Sequence, residues 1–339
     1  MGWEFIGNAR AIGALAAQAG SASPVRSYIF SGPEGVGKAA AALLLAAALN
    51  CTGEDPPCGG CGACHRIAGR VHSDIQTVTI EPTAEGAARK AIAVEQVRDV
   101  EATVALSPYE GRTRVVIFDP AEGMSDGAQN AFLKTLEEPP PHAVFVLVTS
   151  DAEGLLETVR SRCRRIEFGL VAASELEAGL LARGVEPGQA AVLARLAGGR
   201  PGWALSAAAT PKVLERRAEA LDFARSLASM SLADRLDLAE KMSDAFKRDR
   251  VPVDETLAAW LSWWRDVLLA QSDAVGAAAN VDRRDEITTD AARYGRGQVV
   301  AFVEALRETR RHLRDNVQSR IALDALMLRV PGEQRAAVR

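Results

Sequence analysis

A glycine-rich segment ending in a lysine is the strongest chemical signal in the sequence. It occupies residues 32–39, between an apolar run typical of a strand and an alanine-rich run typical of a helix. Glycines let backbone N–H groups surround an anion, and the following helix N-terminus adds positive potential. The segment therefore predicts a nucleotide-phosphate site. Its predicted phosphate-binding residues are Gly32, Pro33, Gly35, Gly37 and Lys38.

Two positions predict that this site binds nucleotide without hydrolysing it. The Ser or Thr that usually follows the loop lysine and holds Mg²⁺ is Ala39. A second apolar strand ends at Asp119, a cofactor-binding candidate, but the neighbouring position, where a carboxylate can position the attacking water, is Pro120. Glu122 would have to point back across a turn, so we do not expect it to substitute.

Four of the five cysteines lie close together, and their spacing indicates a metal site. Cys51, Cys58, Cys61 and Cys64 include two Cys-x-x-Cys steps within a loop rich in proline and glycine. Four thiolates close a tetrahedron around Zn²⁺ and leave no position for water, so the predicted zinc is structural. His65 and His72 are possible substitutes for one cysteine. The alternative is a set of redox-active thiols.

Arg162 lies in a Ser-Arg-Cys segment among three further arginines, Arg160, Arg164 and Arg165. An arginine fixed at the end of a helix can reach a phosphate on a neighbouring subunit, as arginine fingers do. Taken alone, such a cluster is also typical of a solvated basic face.

The composition excludes several classes of protein. The chain has 339 residues, of which 48% are hydrophobic, and a formal net charge of -4. The apolar content excludes intrinsic disorder, and the acidic balance argues against a surface that binds nucleic acid tightly by itself. No apolar run is long enough to span a bilayer and no basic leader precedes the first apolar patch, so we expect a cytoplasmic protein without membrane contact.

An α/β domain followed by helices is the expected scaffold. Apolar runs at 27–30, 74–80, 114–118, 144–149 and 165–168 alternate with helical stretches, as in a covered parallel sheet. Short helices follow up to a predicted linker at 206–211, and long amphipathic helices follow the linker, the last from about 298 to 328. Trp260, Trp263 and Trp264 have the spacing of a packed helix face.

In combination, these motifs resemble the clamp-loader subunits of bacterial DNA polymerase III, which are AAA+ proteins. The resemblance rests on the phosphate loop, the cysteine insertion, the strand ending at Asp119, and residues 130–140, 161–163 and 316–326. It implies a RecA-like AAA+ parallel-sheet domain at 1–168 with a zinc insertion at 51–64, a helical lid at 169–207 and an all-helical collar at 208–339.

The sequence departs from the motor subunits of this family at three positions, and all three indicate a subunit that does not hydrolyse ATP. Motor subunits have an acid beside the strand-end aspartate, a hydroxyl after the loop lysine and an arginine in the third lid helix. Here these positions are Pro120, Ala39 and Gly202, with Arg200 two positions early. The resemblance thus implies a non-hydrolysing subunit that presents Arg162 to the ATP site of an adjacent subunit.

The implied assembly is a pentameric ring with tau/gamma motor subunits and a delta subunit, which places the sliding clamp on primed DNA. Whether the loop holds ATP or ADP stays open at this point. Two alternatives also stay open: an active motor ATPase of the same family, and a zinc-dependent redox or regulatory protein.

Overall fold

A five-stranded parallel sheet forms the scaffold of the N-terminal part. The computed structural model describes residues 2–21, 24–80, 91–210, 212–315 and 318–332. The strands are β1 (Ser27–Ser31), β2 (Ile75–Val78), β3 (Arg114–Phe118), β4 (Ala143–Thr149) and β5 (Arg164–Glu167). Their order is β2-β3-β4-β1-β5. The predicted parallel α/β fold is therefore confirmed.

The central strands are apolar on both faces because helices cover both sides of the sheet. In β1, Tyr28 and Phe30 join one buried cluster while Ile29 joins the other. The side chains of β4 alternate in the same way, with Val146 on the first face and Phe145 on the second. Two hydrophobic cores therefore fix the register of the sheet.

Among the residues described in this part of the chain, six α-helices accompany the strands. Their bounds are α1 (Ala9–Ala19), α2 (Lys38–Asn50), α3 (Gly62–Ala68), α4 (Val94–Val104), α5 (Asp126–Glu137) and α6 (Glu157–Arg160). The α2 helix follows β1 directly and buries alanine and leucine against the sheet. The Ser125 hydroxyl caps α5 by accepting a hydrogen bond from the N–H of Ala128 at 3.2 Å.

Three short helices come next: α7 (Ala173–Leu181), α8 (Pro187–Leu196) and α9 (Pro201–Ala208). Proline is at the first position of α8, where its missing N–H costs no hydrogen bond. The predicted linker at 206–211 is wrong in its first part, because residues 206–208 continue α9. Alanine follows Ser206 there, and its high helix propensity outweighs the small-residue composition that suggested a linker.

The chain divides into two compact units. One contains Met1–Gly179 and Ala197–Trp203, and the other contains Leu180–Leu196 and Ala204–Arg339. The predicted lid at 169–207 is divided, with some of its residues in one unit and the rest in the other. A lid that is separate from both neighbours stays a prediction.

The second unit has a helical core of its own. From residue 212 onward its α-helices are α10 (Lys212–Ser226), α11 (Leu232–Arg248), α12 (Arg250–Ala270), α13 (Arg284–Arg293), α14 (Arg296–Arg314) and α15 (Ser319–Met327). Trp260, Trp263 and Trp264 of α12 are fully buried, which confirms that they form a packed helix face. In the part of the chain that the structure describes, no helix is long and apolar enough to cross a membrane.

The last predicted helix, 298–328, is wrong as one continuous element. The structure has two helices, α14 and α15, and residues 316–317 of the predicted helix lie outside the described residues. The Thr309 hydroxyl is 3.5 Å from the carbonyl oxygen of Ala322. Thirteen residues of straight helix would separate them by about 20 Å, so α15 folds back against α14 and both bury their apolar faces.

Candidate functional site

The glycine-rich loop joins β1 to α2 at the carboxyl edge of the sheet. Gly32 has φ of 146°, and a Cβ there would lie 2.0 Å from the carbonyl oxygen of Phe168. Gly37 directly precedes α2, so the loop ends at a helix N-terminus. Parallel sheets bind ligands at this edge, where the strand order reverses. The elements thus place the predicted phosphate-binding residues where an anion site is expected.

Lys38 is buried within this loop. Its Nζ donates hydrogen bonds to the carbonyl oxygens of Gly32 at 2.6 Å and Pro33 at 2.8 Å. Burial lowers the pKa of Lys38, and the negative charges of Glu122 and Asp119 act in the opposite direction. Burial likewise raises the pKa of Asp119, and the charge of Lys38 opposes this rise. The charges of the lysine and the strand-end aspartate therefore act on each other.

Glu122 also returns to this edge of the sheet. A short 3₁₀ turn follows Pro120 and brings the Glu122 carboxylate to the end of β4. Its Oε1 accepts hydrogen bonds from the Ser150 backbone N–H at 2.9 Å and from the Ser150 hydroxyl at 2.6 Å. Burial alone would raise the pKa of Glu122, but hydrogen bonds led by these two together outweigh it and the pKa is lowered. Glu122 is therefore a fixed carboxylate near Lys38.

The four clustered cysteines bring their sulfur atoms together between α2 and α3. All four Sγ atoms lie within 4.8 Å of one another, and the Sγ atoms of Cys51 and Cys61 are 4.0 Å apart. Sulfur atoms around tetrahedral zinc, with Zn–S of about 2.3 Å, are about 3.8 Å apart. Cys51 and Cys64 are buried, while Cys58 and Cys61 are partly exposed. The four cysteines can therefore hold a metal ion.

Backbone N–H groups around the sulfur atoms favour thiolates. The N–H groups of Cys64 and Thr52 lower the pKa of Cys61 to about 5. Hydrogen bonds led by the N–H of Gly60 also lower the pKa of Cys58. Burial instead raises the pKa of Cys64 to about 12. An all-sulfur donor set with donated N–H hydrogen bonds fits a soft or borderline divalent cation.

A buried polar network fixes both ends of the cysteine insertion. At one end, the side-chain oxygen of Asn50 accepts hydrogen bonds from the N–H groups of Arg112 at 2.8 Å and Thr113 at 3.0 Å. At the other end, the Asp74 carboxylate accepts hydrogen bonds from the backbone N–H groups of residues 109–111, including that of Gly111 at 2.7 Å. One short segment thus holds the end of α2 and the start of β2.

Arg162 projects from the loop after α6. Its guanidinium donates to the Thr158 carbonyl oxygen at 2.9 Å and forms an ion pair with Glu137 at the end of α5. Its side chain keeps 34% of its surface exposed. Glu137 is a partner that sequence reasoning missed, although it lies within residues 130–140. Arg162 is therefore held at the surface by an exposed carboxylate.

The adjacent Cys163 fixes this loop to the core. It packs against a buried cluster of the sheet, and burial raises the pKa of its thiol to about 12. It is therefore a neutral apolar contact. The neighbouring arginines differ, since Arg160 pairs with Glu153 and Arg165 donates to the Ser31 hydroxyl at 3.0 Å. Arg160, Arg162 and Arg165 are thus all partly exposed and paired with carboxylates.

Comparison with known proteins identifies the family. A family model described as DNA polymerase III, delta subunit, matches residues 7–171. DNA polymerase III subunit delta-prime of Pseudomonas aeruginosa is 32% identical, covering 91% of this chain and 92% of that protein. This chain belongs to the DNA polymerase III clamp-loader subunits of the AAA+ family.

This chain is also similar to other members of the family. DNA polymerase III subunit gamma/tau of Mycobacterium tuberculosis is 29% identical over 90% of this chain, which spans 56% of that relative's length. A gamma subunit-related protein from Thermotoga maritima has a solved structure with a TM-score of 0.48 and 17% identity, covering 93% of this chain and 97% of that one.

Proposed function

We propose that this clamp-loader subunit is the non-hydrolysing delta-prime stator. It supplies Arg162 in trans to the ATP site of a neighbouring motor subunit, so that the loader places the sliding clamp on primed DNA during replication. Tau/gamma motor subunits and a delta subunit are its proposed partners in a pentameric ring. The cytoplasm is its proposed location.

The observation that supports a stator best is the position of Glu122. Water activation requires a residue that orients the attacking water. Pro120 takes the place of that carboxylate beside Asp119, and Oε1 of Glu122 already accepts two hydrogen bonds from Ser150. With Ala39 in place of the hydroxyl that holds Mg²⁺, nucleotide binding and hydrolysis are separated.

The surroundings of Arg162 support a role outside its own phosphate loop. The guanidinium lies at the end of α6 and contacts Glu137 and Thr158. A guanidinium presents a planar set of N–H donors that stabilises the charge on a transferring phosphoryl group. Arg162 donates to oxygens of the Glu137 carboxylate, and it would donate in the same way to the oxygens of a phosphate that replaced this carboxylate.

Structural zinc is the metal that we assign to the cysteine cluster. Cys51, Cys58, Cys61 and Cys64 would be its ligands, and the ion would contribute folding free energy to the insertion rather than catalysis. ATP or ADP held without hydrolysis is the proposed content of the phosphate loop.

Turnover by the purified full chain tests the stator proposal. We expect no ATP hydrolysis above background, with or without primed DNA. Ala39→Ser should also show none, because the restored hydroxyl does not supply a water-positioning carboxylate. Hydrolysis by the wild type that primed DNA stimulates would contradict the proposal.

An active motor ATPase is the second candidate function. It is favoured by the similarity to gamma/tau and by the return of Glu122 to the edge that holds Lys38 and Asp119. In a motor, Glu122→Gln would abolish hydrolysis while Arg162→Ala in the isolated chain would not. A stator shows no hydrolysis for either variant to alter.

A further inference from the structure

Two elements of the first compact unit connect the cysteine cluster with the phosphate loop. Helix α2 begins at Lys38, the lysine of the loop, and ends at Asn50, directly before Cys51. Strand β3 ends directly before Asp119 and begins after residues 109–113, the segment that holds both ends of the cysteine insertion. Each element therefore has a group of the phosphate site at one end and a support of the cysteine cluster at the other.

The two elements are joined to each other at the cysteine end. The Asn50 side-chain oxygen accepts hydrogen bonds from the N–H groups of Arg112 at 2.8 Å and Thr113 at 3.0 Å. Its Nδ2 donates to the carbonyl oxygen of Thr113 at 3.0 Å and, one turn earlier in α2, to that of Ala46 at 3.1 Å. The Arg112 guanidinium donates to the carbonyl oxygen of Cys51 at 2.6 Å. Asn50 thus ties the end of α2 to the residues that lead into β3.

A shared buried cluster packs α2 against β3. Leu45 of α2 lies in this cluster with Val115 and Ile117 of β3. The same cluster contains Cys51 and Cys64, two of the four cysteines, and each of these five residues is at most 4% exposed. Close-packed interiors have low compressibility and transmit strain. A displacement of the end of α2 therefore reaches the strand that ends at the phosphate site.

The end of α2 depends on Cys51 for its order. The helix ends at this cysteine rather than at a glycine, and Cys51 is extended, with φ of −65° and ψ of 132°. The last carbonyl groups of a helix lack intrahelical partners, and helix ends open at low free-energy cost. Coordination of Cys51 together with three further cysteines would oppose this opening. Opening would instead release Asn50 from Arg112 and Thr113 and loosen the start of β3.

We propose that zinc in the cysteine cluster strengthens nucleotide binding in the phosphate loop, and that Asn50 transmits this effect. The 13 residues of α2 separate Lys38 from Cys51 by about 20 Å of helix, so an effect of zinc on the lysine has to be transmitted by the protein. The inference rests on the zinc and nucleotide binding in the proposed function and is independent of Arg162. Because coupling between two sites is reciprocal, bound nucleotide strengthens zinc binding by the same factor.

Titration of the full chain with ADP tests the coupling. ADP affinity is measured for the wild type with one Zn²⁺ per chain and again after the metal has been removed. We expect the affinity to fall about 5–10-fold without zinc, since one hydrogen-bonded side chain connects the two elements. In the reciprocal titration, the zinc affinity measured in competition with a chromophoric chelator should rise by the same factor when ADP saturates the protein.

Asn50→Ala tests the route of the coupling with all four cysteines present. In zinc-saturated protein, this variant should bind ADP about 5–10-fold more weakly than the wild type, and removal of zinc should weaken its ADP binding little further. The matched control is Asn280→Ala in the second unit. Asn280 is also buried, and its side chain is hydrogen-bonded to Arg217 and Asp266. This control should lose stability but keep the wild-type ADP affinity and the wild-type response to zinc.

Four results would overturn the proposal. They are an ADP affinity of the wild type that is unchanged by zinc, wild-type ADP affinity in zinc-saturated Asn50→Ala, an equal weakening in Asn280→Ala, and a zinc-saturated wild type that binds no ADP. The third result would indicate general destabilisation, and the fourth would also exclude nucleotide binding from the proposed function. Loss of loader ATPase in Arg162→Ala tests the stator separately, so the stator and the coupling can fail independently.

Discussion

Replacing Arg162 with alanine should affect catalysis far more than folding. The side chain forms an ion pair with Glu137, and these two side chains are 34% and 51% exposed. An exposed ion pair contributes about 0–1 kcal/mol to the free energy of unfolding. The hydrogen bond to the Thr158 carbonyl adds about 1 kcal/mol at most. Together these contributions reach about 2 kcal/mol at most, so we expect the melting temperature of Arg162→Ala to fall by no more than about 4–8 °C.

The expected effect on the neighbouring ATP site is much larger. Arginine fingers in phosphoryl transfer increase the rate by about 10³–10⁵. In the proposed ring the other motor sites would keep arginine fingers of their own, so we expect the total rate to fall by less than this factor. If the motor sites hydrolyse ATP independently, the total ATPase loses only the activity of the site that faces Arg162. If the sites must act in sequence, the total ATPase falls further.

The assay is the ATPase of a reconstituted loader with clamp and primed DNA. Size-exclusion chromatography should show that Arg162→Ala still assembles. Arg162→Lys should rescue little, because an ammonium cannot reproduce the donor fork. Arg164→Ala is the better control for a general basic-surface effect, because Arg165 is bonded to Ser31 at the end of β1.

Two results would refute the finger assignment. One is an unchanged ATPase in a fully assembled loader that contains Arg162→Ala. The other is an equal decrease in Arg164→Ala, which would indicate a basic surface rather than a positioned group.

The remaining predictions concern the insertion and its support. The wild type should release about one Zn²⁺ per chain on denaturation. Cys61→Ser should lower both the zinc content and the melting temperature, whereas His65→Ala, an exposed control on α3, should retain both. Wild-type protein that contains no metal would contradict this prediction. Burial would raise the pKa of Asp74, but three backbone N–H groups and Arg114 outweigh it and lower the pKa. A depressed pKa stabilises the fold above the unfolded value of 3.8, and this stability is lost as pH falls through the folded value. Asp74→Asn should therefore be less stable at pH 7 and lose less stability below pH 4 in chemical denaturation, and an unchanged acid transition would exclude this contribution.

Features that depend on adjacent residues could be predicted from the sequence. Strand β3 has the predicted bounds, and β4 begins one residue earlier than predicted. The cysteine cluster was also predictable, because all its donors lie within one short loop. Hydrophobic pattern, glycine spacing and donor type are local properties that a sequence shows directly.

Features that depend on distant contacts could not be predicted. The apolar pattern continues past Arg314, so periodicity alone favoured one long final helix, whereas burial of α15 against α14 requires a reversal. The partner of Arg162 is 25 residues away, and that of Glu122 is 28 residues away. Arg200, which precedes α9, lies beside Gly35 of the phosphate loop, a contact between residues 165 positions apart that the sequence does not show.

The polar network around Gly111 brings the two ends of the cysteine insertion together. A Cβ on Gly111 would lie 2.4 Å from the Asn50 side-chain oxygen and 3.3 Å from the Asp74 carboxylate. The chain therefore leaves the sheet domain at residue 50 and returns at residue 74 at nearly the same place. Loop-closure cost grows slowly with length, so residues can be inserted into the exposed turns of this segment at little cost, whereas Cys51, Cys64 and Ile67 pack into the buried core of the sheet and tie the insertion to it.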